Sequence, residues 1–411
     1  MKNSTVSRHF DVAVVGAGAG GIAVCASLLN REPRMTIALI DPATMHYYQP
    51  GWTMVGGGIF NPESTGRPMA SVIPPRATWI QQSVSGFDPD NNRVVLDDDS
   101  EIAYDRLVVS AGLTLNWSGI DGLEETLGRN GVTSNYRYDM APYTWQLVQG
   151  MKTGKALFTQ PPMPIKCAGA PQKAMYLSSD HWTRTGVINT IDVQFYTATP
   201  GLFGVQAYVP ALMKYIERYG ATLNFQHTLT RIDGERKIAT FSTASGETIE
   251  SDFDMIHVCP PQCAPAFVAQ SPLSDDAGWV DVDQNTLQHK HYDNIWALGD
   301  CISAPNAKTA AAARAQAPVV ALNLLQHAGK APNIAHYDGY GSCPLTVERG
   351  KIVLAEFGYG GKLLPSFPKW IINGEEPSRL AWLLKSRALP WIYWNAMLKG
   401  REWMAAPVQQ V

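Results

Sequence analysis

The sequence predicts an α/β protein made of two units with mainly parallel sheets, followed by a C-terminal segment of different character. Short apolar runs that suit buried parallel strands alternate with helical patterns along most of the chain. A glycine-rich turn joins the first of these strands to the first helix. The 411 residues are enough for two or three domains.

Composition narrows the class of protein. Apolar residues make up 45% of the chain and charged residues 17%, which excludes a disordered chain. The net charge of −3 argues against a nucleic-acid partner. Six cysteines are too few for a disulfide scaffold, and none forms a zinc-like Cys-x-x-Cys pair, so we expect no metal site. We also expect neither a signal peptide nor a membrane-spanning segment.

The first strand and its turn predict a Rossmann-like dinucleotide site. Residues 10–15 read FDVAVV and lead into G-x-G-x-x-G spacing, which an apolar helix follows. Gly16 allows the tight exit from the strand, Gly18 lets a pyrophosphate approach the backbone, and Gly21 lets the helix pack closely. The phosphates would face the free N–H groups at the helix N-terminus. The expected contacts are Gly16, Gly18, Ala19, Gly20 and Gly21.

Three further strand ends add to this site. Residues 35–40 form a strand that ends at Asp41, where a carboxylate can bind a ribose hydroxyl. Residues 105–112, DRLVVSAG, and residues 294–300, NIWALGD, are strands that end in small residues. Together with the glycine turn, they resemble the FAD-binding pattern of the two-dinucleotide-domain disulfide reductases. The expected contacts at these ends are Asp41, Ala111, Gly112 and Asp300.

A second unit of the same kind follows, but its nucleotide-binding turn is missing. Strands at residues 156–159, 191–196 and 222–225, with a helix at residues 205–219, continue an α/β pattern. The segment after the first of these strands has no G-x-G-x-x-G. We therefore expect electrons to enter through a group other than a nicotinamide.

Cys167 is the candidate for the group through which electrons enter. It lies just before a helix expected to begin near Pro171, and Lys166 and Lys173 are close in sequence. A helix N-terminus and nearby ammonium groups lower the pKa of a thiol and favour the reactive thiolate. On this segment alone, an inert buried thiol is the alternative.

The segments around two cysteines resemble sulfide:quinone oxidoreductase, most of all the type II group that includes the mitochondrial enzyme. KCAGAPQK at Cys167 and GYGSCPLT at Cys343 are the specific matches. YQPGWTMVGGG, SNYRYD, TLQH and KTAAA extend the resemblance over almost the whole chain. It implies that Cys167 and Cys343 form a redox-active disulfide beside FAD, with the persulfide on Cys343.

The same resemblance implies more about the cofactor. Further flavin contacts are expected from Gln49, Val84, Lys308 and Thr309. Some groups of the family tether FAD through a third cysteine, but residues 112–134 contain none, so we expect FAD to be non-covalent. Cys25 and Cys301 are expected to be packed core thiols.

The C-terminal tail is expected to dock on a bilayer. Residues 379–401 carry five basic residues and no acidic one, and tryptophans are frequent around them. Pro390 is expected to divide the tail into two short amphipathic segments. We expect that the tail can be removed without loss of FAD; packing on the protein or on another subunit is the alternative. Residues expected at the quinone entry are Phe357, Tyr359, Phe367, Trp391 and Trp394.

These expectations divide the chain into four ranges. They are the FAD-binding domain at residues 1–115 and 279–335, the inserted second domain at residues 116–278, and the quinone and membrane region at residues 336–411.

The resemblance implies a peripheral membrane flavoenzyme that oxidises sulfide to sulfane sulfur and reduces membrane quinone. Its implied partners are sulfide, quinone, a sulfur acceptor (thiol, sulfite or sulfide) and a lipid surface, and a homo-oligomer stays open. The expected location is the cytoplasmic face of a bacterial inner membrane. The alternatives are a type II NADH:quinone oxidoreductase, a flavocytochrome sulfide dehydrogenase subunit, and a non-catalytic flavin-binding redox sensor or membrane adaptor.

Overall fold

The computed structural model describes residues 8–409. Residues 1–7 and 410–411, which fall in the first and last predicted ranges, lie outside the described residues. The α-helices of the described part are α1 (Ala19–Arg31), α2 (Trp52–Gly56), α3 (Leu123–Thr126), α4 (Ala141–Gly150), α5 (Ala170–Arg184), α6 (Val209–Tyr219), α7 (Ala266–Ala269), α8 (Ala310–His327), α9 (Arg379–Leu383) and α10 (Leu389–Asn395).

The strands of the same part belong to two parallel sheets and several antiparallel ones. They are β1 (Arg8–Val15), β2 (Ile37–Ile40), β3 (Met45–Tyr47), β4 (Gly66–Pro68), β5 (Thr78–Ile80), β6 (Val84–Asp88), β7 (Arg93–Leu96), β8 (Glu101–Val109), β9 (Thr114–Leu115), β10 (Val132–Thr133), β11 (Gly154–Gln160), β12 (Ile191–Thr197), β13 (Thr222–Phe225), β14 (His227–Asp233), β15 (Ile238–Thr243), β16 (Thr248–Asp252), β17 (Met255–His257), β18 (Gln262–Cys263), β19 (Ile295–Ala297), β20 (Ala335–His336), β21 (Gly341–Glu348), β22 (Lys351–Phe357) and β23 (Val408–Gln409).

The first unit has a sheet of order β5-β2-β1-β8-β7-β6, with β19 beside β8. β5, β2, β1, β8 and β19 run parallel, whereas β6 and β7 form an antiparallel edge. Their buried apolar runs form one core with α1 and α8. Because β19 returns to this sheet from late in the chain, the first unit is interrupted by the second, which confirms the predicted fold class.

One strand of this sheet ends earlier than predicted. β8 stops at Val109 rather than at residue 112. Ser110 still donates its N–H to Val15 O at 2.8 Å. Gly112 then adopts a φ of +69°, which turns the chain away from the sheet. The small residues predicted as a strand end are therefore a turn at the carboxyl edge of the sheet.

The second unit is also Rossmann-like. Its parallel sheet has the order β10-β17-β11-β12-β13, and β14, β15 and β16 form an antiparallel sheet beside it. The predicted strands lie within β11, β12 and β13. α6 begins at Val209, four residues after the predicted start, because residues 206–208 form a tighter 3₁₀ turn before it.

The chain after residue 336 contacts both units. The hairpin of β21 and β22 buries Leu345, Val347, Val353 and Ala355 in the core of the second unit. The end of the chain buries Tyr393, Trp394, Met397 and Leu398 in the core of the first. For these residues of the tail, the alternative to bilayer docking holds, because they pack on the protein itself. The division of the chain into four ranges stays a prediction.

The C-terminal helix is continuous from residue 379 to residue 395, so the expected break at Pro390 was wrong. α9 passes through a π-turn, Leu384–Ala388, directly into α10. Leu389 donates its N–H to Leu384 O in the i→i+5 pattern of that turn. Pro390 falls in the first turn of α10, where a proline is tolerated. Among the described residues, we find no helix with the length and apolarity needed to cross a bilayer.

Candidate active site

The structure brings Cys167 and Cys343 together from different parts of the chain. Cys167 lies in the segment between β11 and α5, and Cys343 lies on β21. Their Sγ atoms are 3.0 Å apart. Cys343 is buried and Cys167 is half-buried. The arrangement suits a reversible sulfur–sulfur bond.

Local backbone geometry sets the position of Cys167. Its φ of +53° lies in the left-handed region, which is uncommon for a residue with a side chain. Its N–H donates to Lys308 O at 2.8 Å, and its carbonyl accepts from Ala170 N at 2.7 Å. These two bonds hold the cysteine between the start of α5 and the segment expected to hold the flavin.

Gly169 makes room for the second cysteine. A Cβ at this position would lie 2.2 Å from Leu345 Cδ2 and 2.9 Å from Cys343 Sγ. Both distances are too short for a real contact, so a side chain would push β21 away from the loop. The glycine in KCAGAP therefore allows the two sulfurs to meet.

Two lysine ammonium groups supply positive charge to the sulfur pair. Lys173, on the first turns of α5, donates from Nζ to Cys167 Sγ at 3.1 Å and is 2% exposed. Lys385, in the π-turn, is 3% exposed and donates to Pro50 O at 3.2 Å. Neither buried lysine has a carboxylate among its hydrogen-bond partners, so the site carries an excess of positive charge that favours an anion.

The electrostatics place the thiolate on Cys167. The hydrogen bond from the Cys343 thiol, followed by the charges of Lys173 and Lys385, holds the pKa of Cys167 well below its usual value despite burial. The same hydrogen bond, with burial, raises the pKa of Cys343. Burial, with the nearby charge of Lys173, lowers the pKa of Lys385 to about 7. Lys385 is thus poised to exchange a proton near neutral pH.

The expectation that all five basic residues of the tail face a bilayer was wrong for Lys385. Sequence reasoning counted it with the other tail charges because nothing in the sequence indicates the π-turn. Where the helix widens, Lys385 points inward and its stem is buried. The sequence did offer one signal of this inward orientation, because Lys385 stands alone among apolar residues on its side of the helix.

The glycine turn has the shape that a dinucleotide requires. Gly16 has a φ of +97°, and a Cβ there would lie 2.4 Å from Ser110 O. A Cβ on Gly21 would lie 1.8 Å from Gly16 O. By contrast, a Cβ on Gly18 would meet no atom within 4 Å. The turn is therefore tight on the protein side and open on the side where a pyrophosphate would lie.

The surroundings of this turn also fit a dinucleotide. α1 has no side-chain N-cap and no acidic residue in its first turn, so its first N–H groups are available to phosphate. Ala19 and Gly20 open this helix. Asp41 accepts from Ala17 N at 2.7 Å and from Ala43 N at 2.8 Å, which fixes its carboxylate at the end of β2.

The remaining expected flavin residues come from several segments of the first unit. Val84 begins β6 and packs on the core, and Ala111 and Gly112 form the turn after β8. Gln49, in a short 3₁₀ turn, accepts a hydrogen bond from Lys166 Nζ at 2.7 Å.

Asp300, Lys308 and Thr309 lie beside the sulfur pair. Thr309 caps α8 by accepting from Ala312 N at 3.1 Å. Lys308 Nζ donates to Asp300 O at 2.7 Å and to Ile302 O at 3.0 Å. Burial raises the pKa of the Asp300 carboxyl even though Lys308 opposes that shift. Through its own carbonyl, Lys308 also holds Cys167.

The other thiols of interest are packed in the core, as expected. Cys25 and Cys301 are each 0% exposed. Burial raises the pKa of Cys25 to about 12 and that of Cys301 to about 11. Both therefore stay protonated and inert. Within residues 8–409, His, Cys, Asp and Glu side chains form no cluster of three that could hold a metal ion.

The five aromatic candidates for the quinone entry occupy different surroundings. Phe357 packs edge-on against Phe203 of the second unit. Tyr359 packs edge-on against Tyr337 of the first unit. Phe367 packs on the small core under α9.

Trp391 and Trp394 have opposite orientations. Trp391 is 51% exposed and stacks on Trp403, with ring centroids 5.8 Å apart. Trp394 is 5% exposed, with the Arg67 guanidinium 4.1 Å above its ring, so it does not face outward with Trp391, and its expected place at the quinone entry stays a prediction. It faces inward because this cation–π contact and the first core hold it there.

An open apolar groove of about 720 Å³ lies on the outer face of the C-terminal helix. Its lining residues are Leu383, Leu384, Arg387, Ala388, Trp391, Ile392 and Trp403. Leu380 and Met404 add exposed apolar area around it. An apolar surface with basic residues suits the interface of a bilayer.

Comparisons with known proteins agree with the geometry. The pyridine nucleotide-disulphide oxidoreductase family profile matches residues 10–142. A protein of Dictyostelium discoideum named sulfide:quinone oxidoreductase, mitochondrial, is 42% identical over 98% of this chain and 87% of its own length. The Mus musculus protein of that name is 38% identical over 96% of this chain and 88% of its own. The structure of the sulfide:quinone oxidoreductase from Aquifex aeolicus superposes with a TM-score of 0.80 at 20% identity, over 96% of this chain and 92% of that one.

Proposed function

The chain belongs to the sulfide:quinone oxidoreductases, and we propose that Cys167 and Cys343 are the redox pair through which it oxidises sulfide and reduces quinone. The observation that carries this proposal is the contact between the two sulfurs at 3.0 Å, with Lys173 Nζ at 3.1 Å from one of them.

The asymmetry of the pair gives sulfide oxidation a direction. In the oxidised protein the two sulfurs are bonded, and hydrosulfide attacks Cys343 Sγ. The sulfur–sulfur bond breaks, Cys343 carries the persulfide, and Cys167 leaves as a thiolate. A leaving thiol with a lower pKa leaves faster, and Lys173 stabilises the thiolate of Cys167. Attack at Cys343 is therefore favoured.

The second half of the reaction restores the pair. An acceptor, which we propose to be a thiol, sulfite or sulfide, attacks the outer sulfur and leaves Cys343 as a thiolate. The two thiolates lose an electron pair and form their bond again. FAD, when bound, would supply the two-electron oxidant for this step and the route by which quinone is reduced.

Lys385 assists by attracting and orienting the anionic substrate. It faces the same sulfurs as Lys173, and its pKa of about 7 lets it take up a proton from hydrogen sulfide or return one.

We propose that the flavin is non-covalently bound FAD. The glycine turn, Asp41 and the turn at Gly112 would hold its adenosine and pyrophosphate. Asp300, with the segment at Lys308 and Thr309, would hold the ribitol and the ring close to Cys167. The bond from Cys167 N to Lys308 O supports this placement because it ties the two sites together.

We further propose that the outer face of the C-terminal helix docks on a lipid bilayer. Trp391, Trp403 and Leu383 would enter the interface, and Arg387 would face lipid phosphate. Quinone would reach the flavin from this side, with Phe357, Tyr359 and Phe367 as candidate contacts. The relatives are named as mitochondrial proteins and give no support to a bacterial inner membrane, so only the docking itself is proposed.

Anaerobic reduction of the bound flavin tests the proposal. Sulfide is expected to bleach the oxidised flavin band, and NADH is not, because β11 leads into Cys167 rather than into a nucleotide-binding turn. Cys167→Ser and Cys343→Ser are each expected to abolish sulfide-dependent bleaching with flavin retained. Cys263→Ser, which removes an exposed thiol, is the matched control. Bleaching by NADH at the sulfide rate would favour the NADH:quinone alternative, and bleaching without turnover on quinone would favour a sensor.

A further inference from the structure

A buried hydrogen-bonded link joins the C-terminal helix to the glycine turn. His46 lies on β3, and its Nδ1 is 3.2 Å from Ala17 O, within the turn. Its Nε2 is 2.7 Å from the hydroxyl of Tyr393 on α10. His46 is 3% exposed and Tyr393 is 5% exposed. These two residues have no place in the chemistry of the sulfur pair.

The direction of each hydrogen bond in this link follows from its ends. Ala17 O can only accept, so Nδ1 of His46 must carry the proton and donate it. Nε2 of the neutral imidazole then accepts from the Tyr393 hydroxyl. Burial lowers the pKa of His46 to about 4, which keeps the ring neutral. Tyr393 therefore selects the tautomer of His46 that can bind Ala17.

The peptide between Ala17 and Gly18 connects this hydrogen-bonded link to the turn that is expected to bind the pyrophosphate. The peptide is trans, so the C=O of Ala17 and the N–H of Gly18 point in opposite directions. Because His46 holds the carbonyl, it also fixes the direction of the Gly18 N–H, at a residue where a Cβ would meet no atom within 4 Å. On the other side of Ala17, its N–H is held by Asp41 at 2.7 Å.

We infer that Tyr393 and His46 are positioning residues for the cofactor, and that the C-terminal helix orients the backbone N–H that binds the pyrophosphate of FAD. The inference rests on the proposed binding of FAD at this turn. It adds that a residue near the C-terminus controls how long the flavin stays bound at a turn near the N-terminus.

The helix is anchored well enough to act in this way. Trp394 is held by Arg67 at 4.1 Å. Beyond the helix, Glu402 accepts from both terminal nitrogens of Arg31 on α1, at 2.7 Å each. The Tyr393 hydroxyl is 3.5 Å from Tyr47 O, so its shorter contact with His46 is the preferred one. Because the C-terminal helix is fixed, the Tyr393 hydroxyl is fixed as well, and it holds the imidazole ring of His46 in place.

The test is the rate at which the holoenzyme releases FAD, followed by the fluorescence of free FAD after dilution. Tyr393→Phe removes one hydroxyl and leaves Nε2 of His46 without a donor. We expect release to become about 5- to 20-fold faster, because an unsatisfied buried nitrogen weakens the loop that binds FAD. Tyr219→Phe is the matched control, because Tyr219 is equally buried and donates to Val347 O at 2.9 Å in the second unit. It should release FAD at the wild-type rate.

A double-mutant cycle decides whether the effect passes through His46. His46→Phe should speed release at least as much as Tyr393→Phe, and adding Tyr393→Phe to it should change nothing further. Additive effects, or an unchanged release rate in a folded Tyr393→Phe protein, would overturn the inference. If Tyr393→Phe does not fold, His46→Phe alone decides: wild-type release from it overturns the inference. Wild-type protein that carries no FAD would instead overturn the proposed cofactor, and the inference with it.

Discussion

Replacing Lys173 with methionine tests the direction assigned to sulfide attack. The side chain keeps its length and apolar stem but loses the ammonium that donates to Cys167 Sγ at 3.1 Å. Lys173 is only 2% exposed, so water cannot take over that contact. In Lys173→Met the thiolate that leaves when hydrosulfide attacks Cys343 would lack its nearest counter-charge.

The size of the effect follows from the kind of contact. A hydrogen bond to a charged group contributes about 1.5–3 kcal/mol. About 1.4 kcal/mol changes a rate tenfold, so flavin reduction by sulfide should slow by about 10- to 150-fold. Lys385 remains in place and prevents a complete loss. Because quinone does not react at the sulfur pair, oxidation of the reduced flavin by quinone should keep its rate.

The assay is anaerobic rapid mixing of the holoenzyme with sulfide, followed by bleaching of the oxidised flavin band. Lys214→Met, which removes an exposed lysine of α6, is the matched control and should behave as wild type. In the reduced enzyme, alkylation of Cys167 by iodoacetamide should also require a higher pH in Lys173→Met, because the pKa of this thiol is no longer lowered by the ammonium. Flavin reduction at the wild-type rate in Lys173→Met, with normal flavin content, would refute the reasoning.

Three other predictions concern the buried lysine, the glycine turn and the docking face. The pKa of Lys385 is about 7 in the folded protein, below its usual 10.5, so between these values the unfolded chain binds the extra proton and stability rises with pH. Lys385→Met should therefore raise the free energy of unfolding most below about pH 7 and least near about pH 10; urea unfolding that shows an equal gain at both would contradict the assigned pKa. Gly18→Val should prevent FAD loading, because its side chain would enter the space left for the pyrophosphate; a purified variant with stoichiometric FAD would contradict this. Leu383→Glu with Trp391→Glu should abolish sedimentation with anionic liposomes while flavin content and bleaching by sulfide persist, and unchanged sedimentation would move the docking site elsewhere.

Truncation cannot replace that last experiment. The tail was expected to be separable from the flavin site, but the structure makes it part of the first unit. Removing residues after Gly374 would also remove the charge of Lys385 from the sulfur pair, Tyr393 from His46 and Glu402 from Arg31. Loss of flavin from such a protein would reflect these contacts rather than the loss of docking.

The features that sequence predicted well are those whose physical cause is local. The glycine turn is specified by residues that neighbour one another, and its steric limits appear at Gly16 and Gly21 as expected. The position of Cys167 before a helix is equally local, and α5 begins at Ala170 with Pro171 in its first turn. Cys343 was identified from resemblance, because no local pattern relates it to a cysteine so far along the chain.

The features that sequence missed depend on contacts across the fold. His46 and Tyr393 lie 347 positions apart in the sequence, and neither lies in a pattern that indicates the other. Lys385 was counted with the other basic residues of the tail because nothing in the sequence indicates the π-turn. The π-turn before Trp394 and around Lys385 changes which side chains face inward.

That π-turn also makes the spacing of the tail as important as its composition. Each residue of an α-helix advances the direction of the side chain by about 100°. Deleting one residue after the π-turn, between Ala388 and Trp391, would rotate every side chain beyond it by that angle. Tyr393 would leave His46, and Trp391 would leave the side shared with Leu383. Across relatives of this protein, substitutions on the outer face should therefore be common, whereas insertions and deletions between the buried lysine and the buried tyrosine should be rare.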